Sequence, residues 1–248
     1  MPLEEILMIG IAPFIGSFLS VVVTRLPNQK SIVQGRSACP KCGHALAVLD
    51  LIPILSWLFL RGRCRYCDRT ITPLYPGLEL SASALAIWAS LVVAGWVFAV
   101  TCVLGWSLLA LAEIDRRHYI LPDSITQSLV PFGILVAWQI SPDNLLPHVI
   151  GAAVGFVTFI VVGRLYKSLR GRDGLGFGDA KLLAAAGAWV SWIGLPSVLL
   201  WACATAIGFS LIRTYWQGRA ALKQRIAFGP HLCLGIWLVW LYGPLLSS

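Results

Sequence analysis

Apolar residues in this chain come in long runs separated by short polar stretches. A helix needs roughly 17–25 consecutive apolar residues to cross a bilayer. Eight runs approach or meet that length, over residues 6–23, 79–97, 100–114, 124–140, 148–166, 179–193, 196–213 and 229–246. The third is short, and its boundary with the second is blurred near Gly95. The pattern predicts an all-α polytopic membrane protein with about eight transmembrane helices and no internal repeat. One long polar interruption gives three parts: residues 1–23 as a first transmembrane helix, 24–78 as a loop domain, and 79–248 as a helix bundle.

Composition agrees. The chain is 58% hydrophobic and 12% charged, about half the charge fraction of a soluble domain. The net charge of +8 points to no nucleic-acid partner, because of where the charges fall. With the N-terminus outside, the inside loops are 24–78, 115–123, 167–178 and 214–228, and every Lys and Arg lies in or beside them. The outside loops near 97, 141–147 and 194 hold none, as the excess of positive charge on cytoplasmic loops requires. Glu4 and Glu5 precede the first run and Arg25 follows it, the reverse of a cleaved signal peptide. The expectation is a multi-pass membrane protein with its N-terminus outside.

The loop domain carries eight basic residues against Asp50 and Asp68, which suits contact with anionic lipid headgroups. Two readings fit Ala45 to Leu60 equally: an interfacial segment anchored by Trp57, or a small buried core. Cys39-Pro-Lys-Cys42 and Cys64-Arg-Tyr-Cys67 form two C-x-x-C knuckles. Four thiolates at this spacing suit a tetrahedral zinc ion with no position left for water, hence a structural metal. Disulfides are disfavoured in a cytoplasmic loop. His44 reads as a bystander; Cys102, Cys203 and Cys233 read as small residues inside apolar helices.

The remaining chemistry lies at the membrane edge. Gly174, Gly176 and Gly178 precede a helix predicted to start near Asp179, and glycine permits a sharp approach there. Asp115 ends the third run. On the predicted topology both carboxylates lie on the cytoplasmic side. An ionisable group at that depth is a functional candidate, and two carboxylates together hold the parts of an aspartyl protease, one taking a proton from water while the other donates. The competing reading is two separate acids paired with Arg116 and Lys181. Glu79 opens the second run, Glu113 occupies a different helical face from Asp115, and Asp123 reads as a cap for the following helix. Gly176, Gly178 and Lys181 flank Asp179 as supporting residues.

Taken together these motifs resemble the type IV prepilin peptidases, the bifunctional leader peptidases and N-methyltransferases of type IV pilus and type II secretion systems. The resemblance is carried by Gly16 through Pro27, the cysteine knuckles, Ile52 through Cys64, Tyr75-Pro-Gly-Leu-Glu79, Ile114-Asp115 with Leu121-Pro-Asp123, Gly176-Phe-Gly-Asp-Ala-Lys-Leu-Leu183, and Phe228-Gly-Pro230. Ser20 stands where the family usually has Asn, and Gly77 where a larger apolar residue is common. The resemblance implies that Asp115 and Asp179 are the catalytic pair of a GxGD-type protease. It implies cleavage of a short basic leader from prepilin or pseudopilin precursors, and methylation of the new N-terminal amine from S-adenosylmethionine. It also implies the bacterial inner membrane. No Gly-rich nucleotide-binding turn is present, so the methyl donor's site is unknown at this level. A basic loop does not attract a basic leader, so leader contacts are expected from Glu79, Glu113 or Asp123, or from membrane lipid. A proton-coupled transporter and a zinc-bearing assembly scaffold are the competing functions. Oligomeric state is open.

Overall fold

The computed structural model describes residues 2–33, 37–171, 176–218 and 226–245. Arg36, Arg172, Gly174, Arg219, Lys223 and Arg225, used above for topology and for the approach to Asp179, lie outside them. The described residues are helical apart from turns and two isolated β-bridges. They form two compact units, Met1–Ala110 and Leu111–Ser248.

The first unit contains α1 (Leu3–Arg25), α2 (Leu55–Phe59), α3 (Leu74–Ser90) and the first part of α4 (Trp96–His118). α1 and α3 touch through backbone. A Cβ added to Gly16 would lie 2.5 Å from the Glu79 Cα, so only glycine lets the helices approach this closely. Trp106 of α4 donates its indole N–H to the Ala82 carbonyl of α3 at 3.0 Å. The blurred boundary near Gly95 is a helix break: α3 ends at Ser90, and Gly95 takes a positive φ of 65° before α4 begins.

Between α1 and α3 lies the polar interruption. Its apolar part forms a 3₁₀ turn, Val48–Leu51, and the short α2. Val48, Leu49, Leu58 and Phe59 are well exposed, which favours the interfacial reading over a buried core. Trp57 makes contacts within the loop. Its ring rests on Gly62, where an added Cβ would come within 2.8 Å, and its N–H points to the Ile71 carbonyl at 3.4 Å. A Trp needs a partner for its N–H, and this loop supplies one inside.

The second unit contains the end of α4, then α5 (Asp123–Ile140), α6 (Leu145–Arg170), α7 (Phe177–Gln217) and α8 (Gly229–Tyr242). Two predicted runs, 179–193 and 196–213, fall in α7. At 41 residues and a rise of about 1.5 Å per residue, a straight α7 would extend about 60 Å, twice the hydrocarbon thickness. It is broken instead at Ser191, whose φ of 60° and ψ of 175° are not helical. Trp189, just before the break, is buried, donates to the Leu129 carbonyl of α5 at 2.9 Å, and stacks edge-on against Trp240 of α8. One side chain thus ties three helices together.

Among the described residues, four segments are long and apolar enough to cross a membrane: Leu3–Asn28, Trp96–His118, Pro142–Arg170 and Phe177–Gln217; α8 is apolar but shorter. The protein is an all-helical membrane protein with a four-cysteine cluster.

Candidate active site and metal centre

Asp115 lies in the last turn of α4, and its carbonyl accepts the N–H of Tyr119, which leaves the helix with φ 55°. The Asp115 side chain is buried, 6% exposed. Its Oδ2 accepts the Gly229 N–H at 2.9 Å. Gly229 is the first residue of α8 and Pro230 follows it. A helix N-terminus presents unpaired N–H groups and a partial positive charge, both of which favour a carboxylate. Any larger residue at 229 would push this carboxylate aside, because a Cβ there would lie 2.6 Å from that same Oδ2.

Asp179 is built in the same way on another helix. It is the third residue of α7, half-buried, and its Oδ2 accepts the Gly176 N–H at 3.2 Å. Gly178 packs on Leu121, where an added Cβ would come within 2.9 Å. Two carboxylates 64 positions apart in the chain are therefore each held at a helix N-terminus. Asp115 is the neighbouring charge that acts on Asp179, and Cys233, one turn along α8 from Gly229, lies within electrostatic reach of both.

Asp123 does not cap α5, as expected from the sequence: no side-chain cap bond is made there. Its carboxylate meets Lys181 Nζ at 2.6 Å, and that ammonium also sits 4.6 Å from the centre of the Phe177 ring. The pair joins the start of α5 to the first turn of α7, two residues beyond Asp179. Lys181 is bound to Asp123, so the competing pairing of Lys181 with Asp179 is not what the structure contains. Glu113 is neutralised within its own helix, by Arg116 at 2.6 Å and by Arg117. The proposed Asp115–Arg116 pairing is likewise replaced, since Arg116 holds Glu113. Glu79 belongs to the first unit, where it is buried and accepts the Ile54 N–H at 2.7 Å.

The cysteine knuckles are two copies of one turn. Cys39 N–H bonds the His44 carbonyl and Gly43 N–H returns to the Cys39 carbonyl; Cys64 with Arg69 and Asp68 with Cys64 repeat the pattern. The fourth residue after each leading cysteine takes positive φ: Gly43 at 71° and Asp68 at 54°. Asp68 accepts that backbone with an ion pair to Arg63 at 2.9 Å. The turns bring the sulfurs of Cys39, Cys42, Cys64 and Cys67 within 4.8 Å of one another. Cys39 and Cys67 sulfurs stand 3.9 Å apart, far beyond a disulfide bond. Zinc–sulfur bonds of about 2.3 Å in a tetrahedron place sulfurs about 3.8 Å apart, so the cluster is compatible with zinc. Backbone N–H groups of Cys42 and Lys41 bring the Cys39 thiol down to about 6. At Cys67 the Arg69 N–H favours the thiolate, but desolvation and the three other sulfurs push the thiol up to about 11. A bound cation would favour the thiolate form of ligating cysteines. His44 lies against Tyr66, ring centres 3.7 Å apart, as a bystander.

Residues 10–93 match the Bacterial Peptidase A24 N-terminal domain, and residues 102–211 match the Type IV leader peptidase family. A Burkholderia pseudomallei (strain 1026b) protein called prepilin leader peptidase/N-methyltransferase is 38% identical over 248 residues, covering 89% of this chain and 80% of that protein. The chain belongs to the type IV leader peptidase family. An Aeromonas hydrophila protein of the same name is 36% identical over 258 residues, with 92% and 87% covered. An Escherichia coli O78:H11 protein called type 4 prepilin-like proteins leader peptide-processing enzyme is 37% identical over 242 residues, with 89% and 87% covered. No solved structure matches.

Within this leader-peptidase family member, both carboxylates fall in the segment that matches the family itself, and the cysteines fall in the N-terminal match. Sequence reasoning marked Gly229 only as part of a motif and missed its contact with Asp115. Its signal was the Phe228-Gly-Pro230 opening of the last helix, a small residue followed by a proline suited to the first helical turn.

Proposed function

We propose that this protein is a membrane aspartyl endopeptidase that removes the leader from type IV prepilins or pseudopilins and then N-methylates the new N-terminus. The observation that carries the proteolytic half is that Asp115 and Asp179, both inside the matched family segment, each accept the N–H of a glycine at a helix N-terminus. Two carboxylates that feel one another hold a single proton at lower cost than two charges. The ionised member takes a proton from water as the water oxygen bonds to the scissile carbonyl carbon. The protonated member donates to the carbonyl oxygen. As the C–N bond breaks, the member that took the water proton passes it to the departing amine, and the other takes a proton back from a hydroxyl of the tetrahedral intermediate as the new carboxyl forms, which restores the pair. The Gly229 and Gly176 N–H groups hold the carboxylates in place throughout.

The four cysteines would hold a structural zinc ion that organises residues 24–78, separate from the first helix, 1–23, and from the bundle, 79–248. S-adenosylmethionine would supply the methyl group. Counting α7 as two segments divided at Ser191 gives eight spans. The placement of Lys and Arg supports an outside N-terminus and a cytoplasmic catalytic face in the bacterial inner membrane. Glu113 and Asp123 are already matched by Arg and Lys in this state, so a basic leader would have to compete for them. Gly176, Gly178 and Lys181 act as supports that fix the start of α7.

The test is direct. Detergent-solubilised protein incubated with a prepilin precursor is expected to reduce the precursor mass by that of the leader; an intact precursor under conditions that keep the protein folded refutes the proposal. A finer prediction concerns Gly229. Gly229→Ala forces the Asp115 carboxylate to move, and displacement of a catalytic group by about 1 Å costs about a hundredfold in rate. Cleavage assays should show that loss with normal membrane insertion; a wild-type rate would show that the Gly229 contact does not position Asp115.

A further inference from the structure

A cavity of about 510 Å³ opens in the first unit, beneath the cysteine knuckles. We propose that it is the methyl-donor site and takes S-adenosylmethionine; this rests on the methyl-transfer reading above and gives it a location. The volume is in the range of small-molecule sites, about 300–1,000 Å³. All residues lining it, Ser17 to Glu79, belong to this unit.

The lining matches the donor's three chemical parts. S-adenosylmethionine carries a flat purine, a sulfonium and ammonium pair of cations, and a carboxylate. Trp57 and Tyr75 line the cavity, and an aromatic ring offers a purine a stacking face. Trp57 is braced from behind by Gly62 and by the Ile71 carbonyl, which explains why a tryptophan in an exposed loop turns inward. Glu79 is 5% exposed yet lines the cavity, with one carboxylate oxygen on the Ile54 N–H and the Ser17 hydroxyl beside it. A buried carboxylate facing a cavity is a partner for a ligand cation or a ribose hydroxyl. Arg25 and Lys30 line the same cavity and suit the donor's carboxylate. Asp50 and Arg65 also line it but are engaged with each other at 2.8 Å.

Cys39 and Cys64 contribute to the wall. The metal centre therefore shapes the cavity without entering the methyl-transfer chemistry. This arrangement assembles a donor site from a helix end, a metal-organised loop and a second helix. It needs no glycine-rich strand-to-helix turn, which is why no nucleotide-binding motif stands in the sequence.

The test uses full-length, zinc-loaded protein in detergent. Ultraviolet irradiation with methyl-tritiated S-adenosylmethionine should place label in peptides from residues 17–79, and excess S-adenosylhomocysteine should remove it. Equilibrium dialysis with S-adenosylhomocysteine should show binding weakened about tenfold or more in Glu79→Gln and in Trp57→Ala, at unchanged zinc content. Label confined to residues 111–248 in protein that still methylates overturns the location alone. Wild-type affinity in both variants overturns it as well. Wild-type protein that neither binds S-adenosylhomocysteine nor methylates overturns the methyl-transfer reading and the site together. If a variant loses zinc, the labelling of wild-type protein decides by itself.

Discussion

Asp115→Asn and Asp179→Asn are each expected to lower leader cleavage by a factor of roughly a hundred to ten thousand, the range lost with a general acid or base. Asparagine keeps the shape and one acceptor oxygen. The Gly229 N–H at position 115 and the Gly176 N–H at 179 therefore keep their partners, and each variant should insert and accumulate normally. What asparagine cannot do is take up or release the shared proton. The double variant should be no worse than the weaker single variant by more than a small factor, because the two residues act as a unit. Mass spectrometry of the precursor over time is the measurement. A wild-type rate in either variant removes that residue from the catalytic pair and leaves its carboxylate as a helix cap only.

The second large effect is expected in the cysteine cluster. The wild type is expected to carry one zinc ion per chain, and the Cys64→Ser, Cys67→Ser double variant none. Structural zinc sites bind with an apparent free energy of about 10–16 kcal/mol, and this loop has little else to fold around. Val48, Leu49, Leu58 and Phe59 are exposed, and the two knuckles meet through their four sulfurs and the His44–Tyr66 ring contact. Methylation should vanish with the metal, because Cys39 and Cys64 form part of the cavity wall. Cleavage should persist, because Asp115 and Asp179 belong to the second unit. The mature N-terminus, read by mass, separates the outcomes. Cleaved and unmethylated product supports the division of labour. Loss of both activities makes the loop a shared folding element, and methylated product from a metal-free protein refutes any role of the loop in methyl transfer.

The helices themselves were legible because the signal for a membrane helix is local and long. Each predicted run overlaps an observed helix, and the errors lie at ends. α3 starts at Leu74 and not at 79, and α4 runs from Trp96 to His118 where 100–114 was predicted. Those extensions carry Tyr75, Arg116 and Arg117, residues whose polarity hid them from a hydropathy pattern although the backbone continues through them. The cysteine quartet was legible for a different reason. Metal geometry constrains spacing within each knuckle, so the residues that cooperate are close in sequence as well as in space.

The acids show where local signals stop. Residue type and the glycines before Asp179 marked Asp115 and Asp179 as candidates, and the sequence alone determined the all-helical membrane class, the two knuckles and the family resemblance. Only the tertiary structure decided which groups those carboxylates meet. Asp115 is held by a backbone N–H 114 residues away, and a backbone donor has no residue type to betray it. Asp123 looked like a cap because caps depend on neighbours in sequence, but Lys181, 58 residues on, offered a full charge. Trp57 fitted either a lipid anchor or a loop core from sequence, and only the structure gave its ring and its N–H the partners Gly62 and Ile71. Hydropathy and spacing record what each residue prefers; which preference is satisfied depends on the partners that packing brings within reach.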